Sequence, residues 1–117
     1  MSKPAVWLGS TRRCIREFPA EARGRAGYEV YRLELGLDPT DWKPMASVGD
    51  GVREIRVRTG REHRLIYVAK FAEAVYVLHA FEKKTQKTAR ADIDLARLRY
   101  RELLAERTRQ LKPTKRN

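Results

Sequence analysis

The sequence predicts an α+β fold in which a short strand and two helices precede a three-stranded meander and a last helix follows it. Apolar residues recur at helical spacing before residue 37 and again after residue 89. Between residues 52 and 82 the pattern changes to β-branched, alternating runs joined by short turns, which is typical of antiparallel strands. No proline-, glycine- or serine-rich linker divides the chain, and 117 residues fit one domain.

The N-terminal part is predicted to contain one strand and two helices. Residues 4–8 indicate a short strand that joins the sheet as its fourth member. Ser10 is a suitable cap for a helix that begins at Thr11. Pro19 suits the start of a second helix, and Gly36 suits its end.

Two glycines fall inside the second predicted helix. Gly24 and Gly27 weaken it, so we expect a kink or a loosened turn there. Residues 38–41 are rich in turn formers and predict a loop.

The second half predicts three strands and a helix. The strands are residues 52–59, 63–71 and 74–82. The third strand is apolar on both faces, which predicts a central strand covered on both sides. The helix spans about 89–109, so the order is β-α-α-β-β-β-α with a four-stranded antiparallel sheet. Residues 1–111 form the single predicted domain, and residues 112–117 form a basic, solvated tail.

The charge indicates an anionic partner. There are 26 Lys and Arg residues against 15 Asp and Glu, a net charge of +11, while 42% of residues are hydrophobic. A folded domain with this surface favours nucleic acid, an acidic protein or an anionic membrane. The excess lies after residue 50, because basic and acidic residues are nearly balanced before it.

Several classes of site are excluded by composition. Cys14 is the one cysteine, and His63 and His79 are the two histidines, so we expect no internal disulfide and no metal site built on either residue type. No apolar run approaches the roughly 20 residues that span a bilayer. Residues 1–10 do not fit a signal peptide, so we expect a cytoplasmic protein.

Arg64 is the most informative basic residue. It begins an apolar strand, on which Arg64, Ile66, Val68 and Lys70 are predicted to share one face. An arginine beside buried aliphatic side chains needs an anion. An internal carboxylate, Glu54 or Glu82, and an external phosphate are both open interpretations.

Other polar and aromatic residues have simpler explanations. The lysines of residues 83–87 fit a solvated loop as well as a nucleic-acid contact. His79 is expected to be a hydrogen-bonded core histidine, and His63 a surface residue. Tyr67 and Tyr76 are expected in the core, although a tyrosine of this kind can also stack on a base.

Three stretches of the second half resemble the RelE/ParE toxin superfamily, in its phage-derived, HigB-like branch. They are Val52-Arg-Glu-Ile-Arg56, His63-Arg-Leu-Ile-Tyr67 and the longer run from Val75 to Thr88, which contains Leu-His-Ala-Phe-Glu-Lys-Lys-Thr-Gln-Lys. The N-terminal Trp7-Leu-Gly-Ser10 and Phe18-Pro19 also resemble that branch, so the resemblance spans nearly the whole chain.

The resemblance implies a small toxin of a type II toxin–antitoxin pair. RelE-like members enter the ribosomal A site and cut mRNA without a metal or other cofactor, by attack of a ribose 2′-oxygen on the adjacent phosphate. The implied partners are the ribosome, mRNA and a helix-turn-helix, HigA-like antitoxin. The alternatives are a ParE-like inhibitor of DNA gyrase and a non-catalytic nucleic-acid-binding domain.

The resemblance also implies site residues. Arg64 would hold the scissile phosphate, Arg56 would flank it, and Lys84 would lie near the leaving group. Further RNA contacts would come from Arg58, Lys70, Lys83 and Lys87, and His79 is a possible contributor. Glu54 stands where RelE has a second lysine, and the C-terminal tyrosine of RelE has no counterpart, so the general base stays open.

Overall fold

The computed structural model of the chain describes residues 2–111 and contains five strands and three helices within that range. The strands are β1 (Ala5–Trp7), β2 (Trp42–Pro44), β3 (Val52–Arg58), β4 (Glu62–Val68) and β5 (Val75–Glu82). The helices are α1 (Thr11–Arg16), α2 (Ala20–Glu34) and α3 (Arg90–Leu111). The predicted tail at residues 112–117 lies outside the described residues.

All five strands form one mixed sheet in the order β1-β5-β4-β3-β2. The predicted meander is confirmed, since β3, β4 and β5 pair antiparallel, and β2 adds antiparallel to β3. β1 pairs in parallel with β5, with Ala5 opposite Val75. The predicted four-stranded antiparallel sheet was wrong in two respects, the missed strand β2 and the direction of β1.

Both differences have a physical reason. β2 has three residues, two of which are Lys43 and Pro44, and neither is typical of a strand. Its place at the sheet edge explains why a proline without an N–H is tolerated there. β1 is separated from its partner by most of the chain, so no hairpin turn in the sequence indicates its direction.

A bulge in β5 turns one histidine toward α3. Ile66 pairs with His79 and Tyr67 pairs with Val77, which leaves Leu78 as the extra residue in β5. Leu78 then packs in the core on the α3 side, and His79 contacts α3 directly. The bulge therefore places two consecutive side chains of β5 on the same side of the sheet.

The sheet separates two cores. On one face, residues of α1 and α2 such as Ile15 and Ala26 pack against Ile55 and Leu65. On the other face, α3 packs against the sheet through three buried side chains. These are Ala96, Tyr100 and Leu103. β5 contributes to both cores, which confirms the prediction of a central strand covered on both faces.

α2 runs without interruption through its two glycines. The helix is continuous from Ala20 to Glu34, so the predicted kink at Gly24 and Gly27 was wrong. The helix ends at Glu34, and Gly36, the predicted stop, follows just beyond it with φ +84°. There the N–H groups of Gly36 and the next residue bond back to carbonyls of the last turn.

Arg99 of α3 connects three elements. Its guanidinium donates to the carbonyl of Leu78 at 2.9 Å and to the hydroxyls of Ser10 at 3.1 Å and Thr11 at 3.3 Å. Ser10 occupies the predicted cap position of α1, but its side chain makes no cap hydrogen bond. Gly9 lies against the same guanidinium with φ +55°.

Gly9→Ala should destabilise the fold more than Gly60→Ala. Both glycines have a left-handed φ, so each alanine costs about 1–2 kcal/mol of backbone strain. At Gly9 the new Cβ would also lie 2.7 Å from Arg99 Nε, whereas Gly60 faces open space. Urea unfolding measures the difference, and equal losses would contradict a structural role for the Arg99 contact.

Glu73 and Arg107 connect the C-terminal half of α3 to the segment between β4 and β5. Arg107 donates to both carboxylate oxygens of Glu73, at 2.7 and 3.1 Å, and its guanidinium lies 3.7 Å from the ring centroid of Phe71. The hydroxyl of Tyr76 donates to the same carboxylate at 2.8 Å. The Arg107 hydrogen bonds lower the pKa of Glu73 to about 2.

Arg107→Met should raise the pKa of Glu73 toward its ordinary value of 4.5. Because folding lowers this pKa, the stability that Glu73 contributes is present above about pH 4.5 and is lost as the pH falls toward 2. The acid-induced loss of stability should therefore be smaller in the variant. NMR titration of the Glu73 carboxyl measures the shift, and an unchanged pKa would contradict this account.

Candidate functional site

An open cavity of about 460 Å³ lies where β3 ends, β4 begins and the chain leaves β5. We call it the basic cleft, and it is lined by Arg58, Glu62, Arg64, Lys83, Lys84, Thr85 and Gln86. Strand register creates it, because Arg58 lies opposite Glu62 and the N–H of Lys83 donates to the Glu62 carbonyl at 2.7 Å. Four of the seven basic residues predicted for the site meet here.

Arg64 is buried, and internal carboxylates compensate its charge. Its Nη2 donates to Glu62 Oε1 at 2.9 Å, and its Nε lies 3.7 Å from Glu54 Oε1. Of the two internal partners considered from the sequence, Glu54 is the one observed. Glu82 instead lies near Arg61, at 3.9 Å. The guanidinium still lines the basic cleft, so it is both a core residue and a site residue.

Glu54 is a buried carboxylate behind the basic cleft. It is 1% exposed and lies between two cations, with Lys43 Nζ and Arg64 Nε each 3.7 Å from Oε1. Those distances exceed a hydrogen bond, and neither oxygen of Glu54 has a hydrogen-bond partner among the described residues. The charge is therefore balanced by nearby cations and not by direct hydrogen bonds.

Sequence reasoning missed Lys43. Its β2 position lies opposite Glu54 in the register with β3, and its side chain is about half exposed. Only the presence of β2 reveals this proximity, so no local sequence signal could have found it. Lys43 extends the cation cluster around Glu54 to the far edge of the sheet.

Arg56 lies beside Arg64 but is drawn away from the basic cleft. The two residues are direct partners in the β3–β4 register. The Arg56 side chain is 27% exposed, and its Nε lies 3.3 Å from Asp41 Oδ1 in the loop before β2. The predicted proximity of Arg56 and Arg64 is confirmed, whereas Arg56 does not line the cavity.

Two of the predicted RNA-contacting lysines lie elsewhere. β4 ends at Val68, so the alternation that grouped Lys70 with Arg64 does not continue. Lys70 pairs instead with Asp50 at 3.1 Å, and that hydrogen bond raises the pKa of Lys70. Lys87 is exposed on the segment after β5 but is not a lining residue of the basic cleft.

The charges at the rim favour an anionic ligand. Arg58, Arg64, Lys83 and Lys84 face a single lining carboxylate, that of Glu62. The hydrogen bond from Arg64 lowers the pKa of Glu62, so this carboxylate stays ionised to a lower pH than an ordinary glutamate. Glu62 is 41% exposed, so a bound anion can replace it beside Arg64 without displacing a buried group.

The two histidines are both core residues. His79 Nε2 lies 2.7 Å from Asp92 Oδ1, and its ring stacks on Phe81, which confirms the expected hydrogen-bonded histidine. Burial lowers the pKa of His79 despite this carboxylate. The expectation of an exposed His63 was wrong, since this residue sits in β4, is 1% exposed and packs on Phe18.

The two tyrosines belong to packed regions as expected. Tyr67 is fully buried in the core beneath α2, and burial raises its pKa. Tyr76 packs at the edge of the α3-side core. Neither ring lines the basic cleft.

Among residues 2–111, no three His, Cys, Asp or Glu side chains are grouped closely enough to hold a metal ion. In the same range, no helix combines the length and the apolar character needed to cross a membrane.

Residues 13–101 match the family described as Phage derived protein Gp49-like (DUF891). The chain belongs to this family. The matched range extends from α1 into α3 and includes the whole basic cleft. It supports the RelE-like toxin resemblance in general, while the HigB-like assignment stays a prediction. Comparison with curated proteins gave no match.

Removing Arg64 should leave the buried Glu54 carboxylate with Lys43 as its remaining ion-pair partner among the described residues. Arg64→Met should therefore cost about 3–5 kcal/mol of unfolding free energy, the usual cost of breaking a buried ion pair. Adding Glu54→Gln should restore part of that loss. Arg58→Met is the matched control, because its side chain is 55% exposed. Equal losses for Arg64→Met and Arg58→Met in urea unfolding would contradict the pairing.

Proposed function

We propose that this chain is the toxin of a type II toxin–antitoxin pair, that it resembles the HigB-like branch, and that it cuts mRNA on the ribosome. The observation that carries the proposal is the basic cleft, where one cation of β3 and two at the exit of β5 lie around Arg64, which is backed by a buried carboxylate. Membership of the Gp49-like family supports the toxin assignment.

Arg64 would bind the scissile phosphate in place of the Glu62 carboxylate. Glu62 is partly exposed and leaves, while Glu54 stays behind the guanidinium and keeps it oriented. Lys83 and Lys84 lie at the same cleft and would contact the neighbouring phosphate oxygens. These cations would stabilise the charge that develops on the phosphorus centre, which is usually the largest catalytic contribution.

The cleavage would proceed by attack of the ribose 2′-oxygen on the adjacent phosphorus. The P–O5′ bond breaks, so the products are a 2′,3′-cyclic phosphate and a 5′-hydroxyl. Arginine cannot release a proton in a protein, so Arg56 and Arg64 are unsuited to act as the base. Glu62, whose partly exposed carboxylate lines the basic cleft, is the group we assign to accept the 2′-hydroxyl proton once it has left Arg64. Lys84 would protonate the leaving 5′-oxygen.

One observation favours a second function. Arg64 already has two internal carboxylate partners, as a purely structural buried arginine would have. On that interpretation the basic cleft binds nucleic acid without cutting it, or the target is DNA gyrase as for ParE-like toxins. The helix-turn-helix antitoxin, the ribosome and the cytoplasmic location are likewise proposals.

Arg64→Lys and Lys84→Ala should each lower single-turnover cleavage of ribosome-bound mRNA by about 10²–10³. The lysine at position 64 keeps a positive charge beside Glu54, so the fold is retained. Arg101→Ala is the control, because Arg101 is an exposed α3 residue that does not line the basic cleft. Urea midpoints establish that each variant is folded.

Two outcomes would contradict the proposal. One is a folded Arg64→Lys variant that cleaves at the parental rate. The other is a parent protein that inhibits gyrase supercoiling and leaves ribosome-bound mRNA intact.

A further inference from the structure

α2 carries a second apolar stripe on the side turned away from the sheet. Its inner stripe, which includes Ala26 and Leu33, packs in the core. The outer stripe has large apolar side chains at helical spacing that remain exposed: Tyr28 (52%), Tyr31 (54%), Leu35 (44%) and, just beyond Gly36, Leu37 (47%). Half of the exposed large hydrophobic residues of the described chain lie here. We call this surface the outer α2 face.

The two α2 glycines lie on the same outer face. A Cβ added at Gly24 or Gly27 would meet nothing within 4 Å, so no contact inside the described chain requires a glycine at either position. Glycine in a helix interior is nevertheless destabilising relative to alanine. Glycines beside exposed aromatic side chains allow the backbone of a second helix to approach closely, as small residues do at other helix–helix contacts.

The charges around this face select its partner. Arg23, Arg25 and Arg32 flank the outer α2 face, and none has a carboxylate within 4 Å among residues 2–111. The same holds for three arginines of the neighbouring α1, which are Arg12, Arg13 and Arg16. A second copy of the chain would bring the same cations and a net charge of +11, so self-association through this face is opposed.

We propose that the outer α2 face docks an acidic amphipathic helix of a partner protein. Tyr28, Tyr31 and Leu35 would pack against the apolar side of that helix. The flanking arginines would form ion pairs with its carboxylates. That the partner is the cognate antitoxin rests on the proposed function. The outer α2 face and the basic cleft lie on opposite sides of the sheet, so the two sites can be tested separately.

The probe is the protein encoded next to this chain, titrated against the full chain by calorimetry. Tyr31→Ala should weaken binding at least tenfold, since buried tyrosines are frequent energetic centres of interfaces. Gly27→Ala should also weaken binding about tenfold, while raising the melting temperature of the free chain by about 3–5 °C. Leu98→Ala, at an apolar α3 residue of similar exposure, should bind as the parent does.

Gly27→Ala distinguishes a docking role of Gly27 from a role in folding, because the variant should be more stable as the free chain and yet bind the partner more weakly. The proposal is overturned if Tyr31→Ala and Gly27→Ala both bind like the parent, or if the parent does not bind the neighbouring protein. It is also overturned if light scattering shows a homodimer that Gly27→Ala dissociates.

Cleavage of ribosome-bound mRNA, measured with the same variants, distinguishes this proposal from the proposed function. Both α2 variants should cut mRNA at the parental rate. A parent that binds through α2 but never cuts mRNA would overturn the proposed function and leave the docking face intact.

Discussion

The buried ion pair between Arg64 and Glu54 is the constraint on which the rest of the site depends. A guanidinium that is 3% exposed needs an anion, and β3 supplies one from the neighbouring strand. Glu54 in turn needs compensation on its other side, which Lys43 provides from β2. Three adjacent strands are therefore coupled through charge as well as through backbone hydrogen bonds.

The same pair explains how a core residue can also serve a ligand. Glu54 holds Arg64 from inside the sheet, while Glu62 occupies the solvent side and is exposed enough to be replaced. The cations at the rim keep the cleft attractive to a phosphate group once Glu62 has left. The helical layer of α1 and α2 lies on the other face of the sheet, where its outer stripe is available to a different partner.

The sequence predicted the central part of the fold and most of the cation cluster. The alternation of Val52 to Glu82 was sufficient for the meander, and strand register then brought Arg58 and Arg64 together with Lys84 at the exit of β5. Short edge elements were less predictable. β2 shows no alternation of apolar and polar residues, so the strand and its Lys43 were missed. Lys70 was grouped with Arg64 because the sequence does not show where β4 ends. The internal partner of Arg64 stayed open between two carboxylates, since only register distinguishes Glu54 from Glu82.

Mapping of mRNA 5′ ends in cells after brief induction of the chain detects the proposed cleavage directly. Two versions of one message, identical except for a start codon, separate translated from untranslated RNA. We expect new 5′-hydroxyl ends within the reading frame of the translated version alone, and we expect these ends to be lost when the Arg64→Lys variant is induced in place of the parent. Growth arrest without new 5′ ends in the translated message, or ends of equal number in both versions, would contradict it.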